Sequence, residues 1–448
     1  MEVSRRYAAL LVLAVLLSFS PAFFAGITNW DDDHYLDAAA RPASWLLTNA
    51  FFGNYQPLTM LSLHLDRALF GVNGVELHAV NIALHCAAVI AVFALLLQLT
   101  ATPFAAFAGA LLFAVHPLRV ESVAWIAERK DVLCVAFFAA ALALYAAWLH
   151  GRRIHIGWIY ALFIAALLSK ATAAVLPAAM MLVELAIRRR ITIRDKLPMF
   201  ALGFLFSLLT IHLQAQPGAS LDLPHRLLLE GRALTMYVSR ELVPLNLSAF
   251  YAYPHAIGAA EWWGTFLALL LCASVLATLR FSLNVFAAAA FFLVTIVPMP
   301  PLVNIGRAFI ADRYTYIPSI GIAWLAALAV ERIRNRAAVI IIAIAIAFIL
   351  GALTFQRTQV WHDSLTLWTS VLESDGTNAI AWNGRGVALI VQRRFAEAAP
   401  QLDRAIALDP CYENALRNRG MLAMMSHDEA AARAIAARLL DCHRIRRQ

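Results

Sequence analysis

The chain has 448 residues, of which 62% are hydrophobic and 14% charged. A soluble globular chain carries roughly 25% charged residues, so the composition excludes a wholly soluble protein and indicates a membrane protein with a smaller soluble part. The net charge of +8 is not a nucleic-acid signature, because the cations cluster at the ends of apolar runs, as the orientation rule for membrane proteins requires.

A spanning helix needs about 20 mostly apolar residues. In chain order the candidates are 7–25, 78–99, 102–116, 131–149, 154–169, 171–187, 197–214, 261–279, 283–303, 314–331 and 337–353. The first also resembles a signal peptide, with two arginines, an apolar run and small residues near Ala25-Gly26. Its length favours a retained helix, and either way Asp31 to Asp33 emerge outside. The basic clusters Arg5-Arg6, Arg152-Arg153, Arg188-Arg189-Arg190, Arg280 and Arg332/Arg334/Arg336 all face the cytoplasm if there are eleven spans, with the N-terminus inside and the C-terminus outside. Residues 229–247 carry Arg232, Arg240 and Glu241, and we expect there an outer-surface or partly inserted helix.

This topology collects the chemically varied loops on the outer face: 26–77, 117–130, 215–260 and 304–313, with the tail from about 354. The inner loops are short and basic. In the tail, "AIAWNGRGVALIVQRRFAEAAPQLDRAIALDP" (379–410) matches the tetratricopeptide pattern, a helix–turn–helix unit of about 34 residues. Trp382, Gly386, Ala398, Leu402, Ala405 and Pro410 fall at its packing positions. The same shift predicts repeats at 379–412 and 413–446 and a half repeat at 364–376, where Trp368 aligns with Leu402. Repeat arrays normally need about three units, so this one is expected to stack rigidly on the last span or on the outer loops. The division expected is 1–355 as the membrane domain and 356–448 as the repeat domain.

The first outer loop opens with "ITNWDDDHY" (27–35), giving Asp31, Asp32, Asp33 and His34 beside the membrane. A carboxylate can act as general base for a hydroxyl nucleophile, and paired carboxylates permit a divalent metal without demanding one. The bland alternative is a helix N-cap. "NYQPLTMLSLHLDRALFG" (54–71) follows, with Tyr55 at its start, half polar and half apolar as in an interfacial helix. His78, Asn81 and His85 share a helix face. "HPLRVESVAWIAERKD" (116–131) contributes His116, Glu121, Trp125, Glu128, Arg129, Lys130 and Asp131. Ionisable groups at membrane depth usually face a cavity or a partner, so His78 and His116, with Glu121, Tyr55 and Trp125, are candidate pocket-lining residues. Arg129, Lys130, Lys170 and Arg313, the last in "IADRYTYIPSIG" (310–321), sit where cations can hold a phosphate. Of the five cysteines, no pair has metal-ligand spacing; Cys411 and Cys442 pair only if the fold brings them together.

"NWDDDHY", "NYQPLTMLSLHLDRALFG", "HPLRVESVAWIAERKD" and "ADRYTYIPSIG", followed by tetratricopeptide repeats, resemble the transmembrane and tetratricopeptide-repeat O-mannosyltransferase-like family. That family is related to the protein O-mannosyltransferases of the GT-C fold. The resemblance runs over nearly the whole chain in order. It implies an all-α polytopic membrane protein of GT-C type with a C-terminal α-solenoid. It further implies an enzyme that moves a mannose-like sugar from a polyprenyl-phosphate donor to an acceptor hydroxyl on the outer face. The family's aspartate site matches Asp31 and Asp32, and Asp33 is an additional carboxylate. Ala/Arg-rich composition points to a bacterial inner membrane.

Other classes compete. A membrane-anchored scaffold displaying repeats to partner proteins would depend on the repeats and not on the aspartates. A transporter of lipid-linked sugars would need a polar path open on both sides, which the short basic inner loops disfavour. A transferase acting on glycan or lipid keeps the enzyme and changes the acceptor, whereas repeats offer a concave surface suited to peptide.

Overall fold

A computed structural model describes residues 2–188, 190–214, 222–254, 256–299, 301 and 308–445. The loops 215–260 and 304–313 expected on the outer face lie in part outside the described residues. Described backbone is almost entirely helical, with two isolated bridges, Phe51 to Asn54 and Tyr251 to Ile310.

Every apolar run read from the sequence falls on a helix. Among the described residues six helices are long and apolar enough to cross a membrane: Gly74–Leu99, Ile126–Leu149, Ala171–Arg188, Arg194–Gln214, Ala259–Arg280 and Arg336–Gln359. A seventh is reached if Pro103–Ala114 and Pro117–Ala124, bent by 55° at their junction, count as one broken span. The other runs form shorter helices, Glu2–Ser18, Ile156–Ser169, Leu283–Ile296 and Ser319–Arg332. The expected eleven spans are therefore more than helix length alone supports. Hydropathy runs across residues that end a helix: Pro298 follows Leu283–Ile296, and Pro318 precedes Ser319 after a 3-10 turn over Asp312–Thr315. The chain is a multi-pass membrane protein.

Gly74–Leu99 and Ile126–Leu149 pack against each other at the centre of the bundle. Peripheral helices instead turn apolar side chains outward, as Phe204, Leu269, Ile341 and Phe348 do; such faces suit lipid. Close packing between Pro103–Ala114 and Ser319–Arg332 requires Gly109, where an added Cβ would lie 2.3 Å from the Ala323 carbonyl oxygen. The segment expected at 229–247 is a helix, Leu223–Leu242, tied to Ala259–Ala277 by an Arg232–Glu261 ion pair and by the Thr265 hydroxyl donating to Leu228 O at 3.1 Å. It lies along a candidate span rather than alone.

The bundle has two unlike ends. At one, His150 donates to Gln98 O at 2.9 Å, Arg188 to Leu149 O at 3.2 Å and Tyr160 to Asp195 O at 2.6 Å. The basic clusters flank these short connections. The other end gathers the loop after residue 26, the 115–130 turn, the 308–315 turn and the start of the tail. Gly26 N donates to His362 O at 2.8 Å, and from the loop after Leu242 the Ser248 hydroxyl meets that of Ser374 at 3.0 Å.

The tail comprises Ser364–Ser374, Ala379–Val391, Phe395–Leu408, Glu413–Met425 and Glu429–Ile445. Each packs on the next. Gly384 permits the first two to meet, since a Cβ there would overlap the Trp368 indole at 2.2 Å. Cys411 and Cys442 form a disulfide, joining the start of the last helix pair to its end.

Candidate active site

The loop that leaves the first helix is fastened at almost every residue. Thr28 donates to Asp32 Oδ2 from its backbone N–H at 3.0 Å and its hydroxyl at 2.7 Å, and Ala127 N donates to Asp32 Oδ1 at 2.8 Å. Asp32 is 1% exposed. Burial pushes its carboxyl up to about 7, against the hydrogen bonds from Thr28 and Ala127. Both its oxygens are engaged, so Asp32 latches this loop to the 115–130 turn.

Asp31 differs. It sits at the N-terminus of the Asp32–Ala38 helix with φ 66° and ψ −18°, in the left-handed region that only Gly, and occasionally Asn or Asp, visits readily. Such a conformation costs of order 1–3 kcal/mol and persists where the surroundings over-determine it. Its half-buried carboxylate has no hydrogen-bond donor among the described residues. Burial raises its proton affinity, Lys130 and Arg313 oppose that, and Glu128 adds to it. Asp33 and His34 are exposed.

The neighbouring charges form one cluster around Glu128. Its carboxylate meets Lys130 Nζ at 3.0 Å, Lys170 Nζ at 3.2 Å and Arg313 Nε at 3.4 Å. Lys170 also pairs with Asp131 at 2.6 Å, and Asp131 accepts from the Ser122 hydroxyl at 3.0 Å. Arg313 pairs with Glu121, which also accepts its backbone N–H at 3.0 Å. Three cations and three carboxylates balance, and Asp31 adds a negative charge at the edge. Lys130 uses two of its three N–H donors, on Glu128 and on Tyr35 Oη at 3.2 Å. Lys170 likewise uses two, on Glu128 and Asp131, so each ammonium keeps one for a further acceptor among the described residues.

Trp125 is the floor of this cluster. Its ring lies 5.8 Å from Lys130 Nζ and 5.4 Å from the Arg313 guanidinium carbon, within cation–π range. Its indole N–H donates to Trp30 O at 2.7 Å.

The structure thus gathers Asp31, Lys130, Lys170, Arg313, Glu121 and Trp125, and leaves other candidates outside. Arg129 is fully buried and turned into the bundle, donating to Asn81 Oδ1 at 2.8 Å and Leu77 O at 2.9 Å and pairing with Asp66. The structure thus places Arg129, expected at the phosphate, apart from the Glu128 cluster. A helical residue lies about 100° round from its neighbour, so Arg129 faces inward where Lys130 faces the cluster. His78 donates to Gly26 O at 3.1 Å and His116 to Glu241 O at 3.1 Å. His85 donates to Ala114 O at 3.0 Å and accepts from the Tyr316 hydroxyl at 2.5 Å. Each of these histidines is bonded to a backbone carbonyl, and among the described residues none bonds to the Glu128 cluster. Tyr55 donates to Leu47 O at 2.9 Å, away from the cluster.

Sequence reasoning missed Asn29, Trp30 and Tyr35. A run of Trp30, Trp361 and Trp368 at the edge of "DDD" and seven residues apart in the tail was the available signal. Also missed was a second buried network in which Arg119 donates to Glu241 at 2.9 Å, Thr315 at 2.9 Å and Ser319 at 2.6 Å; it joins the 115–130 and 308–315 turns. No group of three or more His, Cys, Asp or Glu side chains among the described residues is arranged to hold a metal ion, and Asp32, with both oxygens engaged, does not pair with Asp31 for that purpose.

No protein-family model matches the chain. The protein O-mannosyl-transferase F38B6.6 of Caenorhabditis elegans is 28% identical over 382 residues, covering 80% of this chain and 54% of that protein. The protein O-mannosyl-transferase TMTC1 of Homo sapiens is 40% identical over 118 residues, 23% of this chain and 13% of that protein. The chain therefore spans about half the length of the worm relative and a smaller part of the human one. Among solved structures, ArnT from Cupriavidus metallidurans bound to undecaprenyl phosphate aligns with TM-score 0.41 and 13% identity, over 95% of this chain and 78% of that one. The Archaeoglobus fulgidus oligosaccharyltransferase tethered with an acceptor peptide gives 0.42 and 11%, over 88% and 58%. By its sequence relatives, the chain resembles the transmembrane and tetratricopeptide-repeat O-mannosyltransferase-like family.

Proposed function

We propose that the protein is a GT-C-type glycosyltransferase that moves a mannose-like sugar from a polyprenyl-phosphate donor to a hydroxyl of a protein acceptor on the outer face of a bacterial inner membrane. The observation that carries this reading is Asp31, a half-buried carboxylate without a hydrogen-bond donor among the described residues, held beside Lys130 and Arg313 at one end of a membrane bundle. The names of the sequence relatives agree with it. The Cys411–Cys442 disulfide supports the tail's exposure to an oxidising compartment. We read the tail as two and a half tetratricopeptide repeats.

In this mechanism Asp31 takes the proton of the acceptor hydroxyl, and the hydroxyl oxygen attacks the anomeric carbon. The bond to the phosphate oxygen breaks, and the phosphate leaves as an anion with the bonding electron pair. Lys130, Lys170 and Arg313 offer it the donors that Glu128, Asp131 and Glu121 leave unused. Fixed cations where charge develops stabilise the transition state. A single displacement inverts the anomeric centre.

The test uses the purified chain in detergent with radiolabelled polyprenyl-phosphate sugars and host membrane extract, comparing wild type with Asp31→Asn. Label in protein that depends on Asp31 supports the reading and identifies the sugar. Label in lipid or glycan keeps the transferase and replaces the acceptor. Equal transfer by both proteins keeps the transferase and removes Asp31 as its base, and no transfer from any donor by the folded chain moves the assignment to the scaffold.

A further inference from the structure

Asn29 belongs to the first outer loop, yet its partners lie in the tail. Its backbone N–H donates to Ser364 Oγ at 2.8 Å, its side-chain amide donates to Gly384 O at 2.9 Å, and its Oδ1 accepts from the Trp368 indole at 2.6 Å. Trp30 is stacked on Trp368, with ring centroids 4.9 Å apart, and meets Trp125 on another side at 5.0 Å. These contacts hold particular peptide planes. The Asn29 bonds fix the plane before Asn29, and Trp125, donating to Trp30 O, fixes the plane before Asp31. Beyond Asp31 the Asp32 carboxylate is clamped from Thr28 and Ala127. Asp31 therefore turns through φ 66° between planes that cannot relax independently, which is the over-determination a left-handed aspartate needs.

We propose that Asn29 is a positioning residue and that the first two tail helices, through Ser364, Trp368 and Gly384, are part of the carboxylate site. The tail is then not a detachable module, because it sets the orientation of Asp31 in the membrane domain. The inference rests on the reading of Asp31 as general base, but its geometric half stands apart from that reading. A reacting group displaced by about 1 Å can lose on the order of a hundredfold in rate, while donor binding at the cations stays intact.

The experiment compares the full-length chain in detergent with Asn29→Ala, Ser364→Ala, Trp368→Phe and the Asn29→Ala/Trp368→Phe double variant, with Asp31→Asn as reference. Polyprenyl-phosphate mannose is the donor and membrane extract the acceptor. Hydrogen exchange is followed over residues 28–34. Expected for Asn29→Ala is faster exchange there, a kcat lower by roughly tenfold to a hundredfold, and an unchanged KM for the donor. Trp368→Phe keeps a ring against Trp30 but loses the bond to Asn29 and part of the indole packing on Gly384, so Asn29→Ala should cost less in the Trp368→Phe background than in wild type. Ser364→Ala removes one bond, and its smaller graded loss carries the test if Asn29→Ala fails to fold. Wild-type exchange in Asn29→Ala or, should that variant not fold, in Ser364→Ala overturns the proposal. So does a loss seen in KM alone. If Asp31→Asn retains full activity, the reading of Asp31 as general base fails, and the exchange result still decides whether the tail holds the loop.

Discussion

Asp31 and Asp32 are adjacent in the chain and opposite in surroundings: Asp32 accepts three hydrogen bonds and is 1% exposed, whereas Asp31 is half-buried with its carboxylate free of donors among the described residues. A carboxylate already saturated by backbone and hydroxyl donors holds a loop; one kept unsaturated beside cations is available to a substrate proton. Asp31→Asn should lower kcat by about 10²–10⁴-fold, the usual contribution of general-base catalysis, with the melting temperature in detergent unchanged. Asp32→Asn presents amide N–H groups to a site built from donors and should lower the melting temperature. The reverse pattern, inactivity from Asp32→Asn at full stability with a tolerant Asp31, would exchange the two roles.

Asp32 also gives the protein a pH dependence with a defined sign. Its carboxyl is raised from the usual 3.8 to about 7 by burial, so the folded chain binds this proton more tightly than the unfolded chain does. The folded state has that advantage in full below the unfolded value and loses it as pH rises through the window from 3.8 to about 7. Burial raises Asp31 as well, in the same direction. Melting temperatures at pH 5 and pH 8 should therefore be further apart in wild type, with the lower value at pH 8, than in Asp32→Asn. Parallel pH profiles for the two proteins would remove Asp32 from the explanation.

The contrast between neighbours explains what was legible beforehand. Apolar runs, the acidic loop beside the first of them and the basic connections were readable because each is a local compositional feature. Helix ends were not, since hydropathy continues through Pro298 and Pro318 while hydrogen bonding does not. Arg129 and Lys130 could not be told apart either: both lie at the same depth, and only the helix rotation sends one to Asp66 and the other to Glu128. The histidines were read as cavity groups because a chain gives no sign of which backbone carbonyl will be left for them. Asn29 was invisible for a simpler reason, as its partners stand 335, 339 and 355 residues away.

The two kinds of buried cation should respond differently to removal. Arg129 has no exposed side-chain surface and neutralises Asp66, which is itself 8% exposed in its side chain. Taking away one partner of such a pair typically costs about 3–5 kcal/mol because the other charge is left buried. Arg129→Ala should lower the melting temperature, and a second change, Asp66→Leu, should restore much of it. Lys170, with 13% of its side chain exposed, keeps one N–H donor unused among the described residues, so on the proposed mechanism Lys170→Gln should mainly raise the donor KM. Titrating the donor against both variants separates the cases: a KM effect confined to Arg129→Ala would return that residue to the phosphate site.

The disulfide allows the tail to be divided by experiment. Cys411 and Cys442 are separated by 31 residues, and closing a loop of that size removes about 3–4 kcal/mol of chain entropy from the unfolded state on the loop-closure account. The bridge joins Glu429–Ile445 back to the turn before Glu413, whereas Ser364–Ser374 is held by Asn29, Trp30 and Gly384 and owes nothing to it. Cys411→Ser/Cys442→Ser should therefore speed hydrogen exchange in residues 413–445 and leave residues 364–374 and the loop at 28–34 protected. On the proposed function, sugar transfer by this variant should persist at wild-type kcat if the last two helices serve only acceptor capture, with the loss appearing in the acceptor KM. Exchange that rises through Ser364–Ser374 as well would mean that the tail melts as one cooperative unit, and the seam at Asn29 would then depend on the bridge.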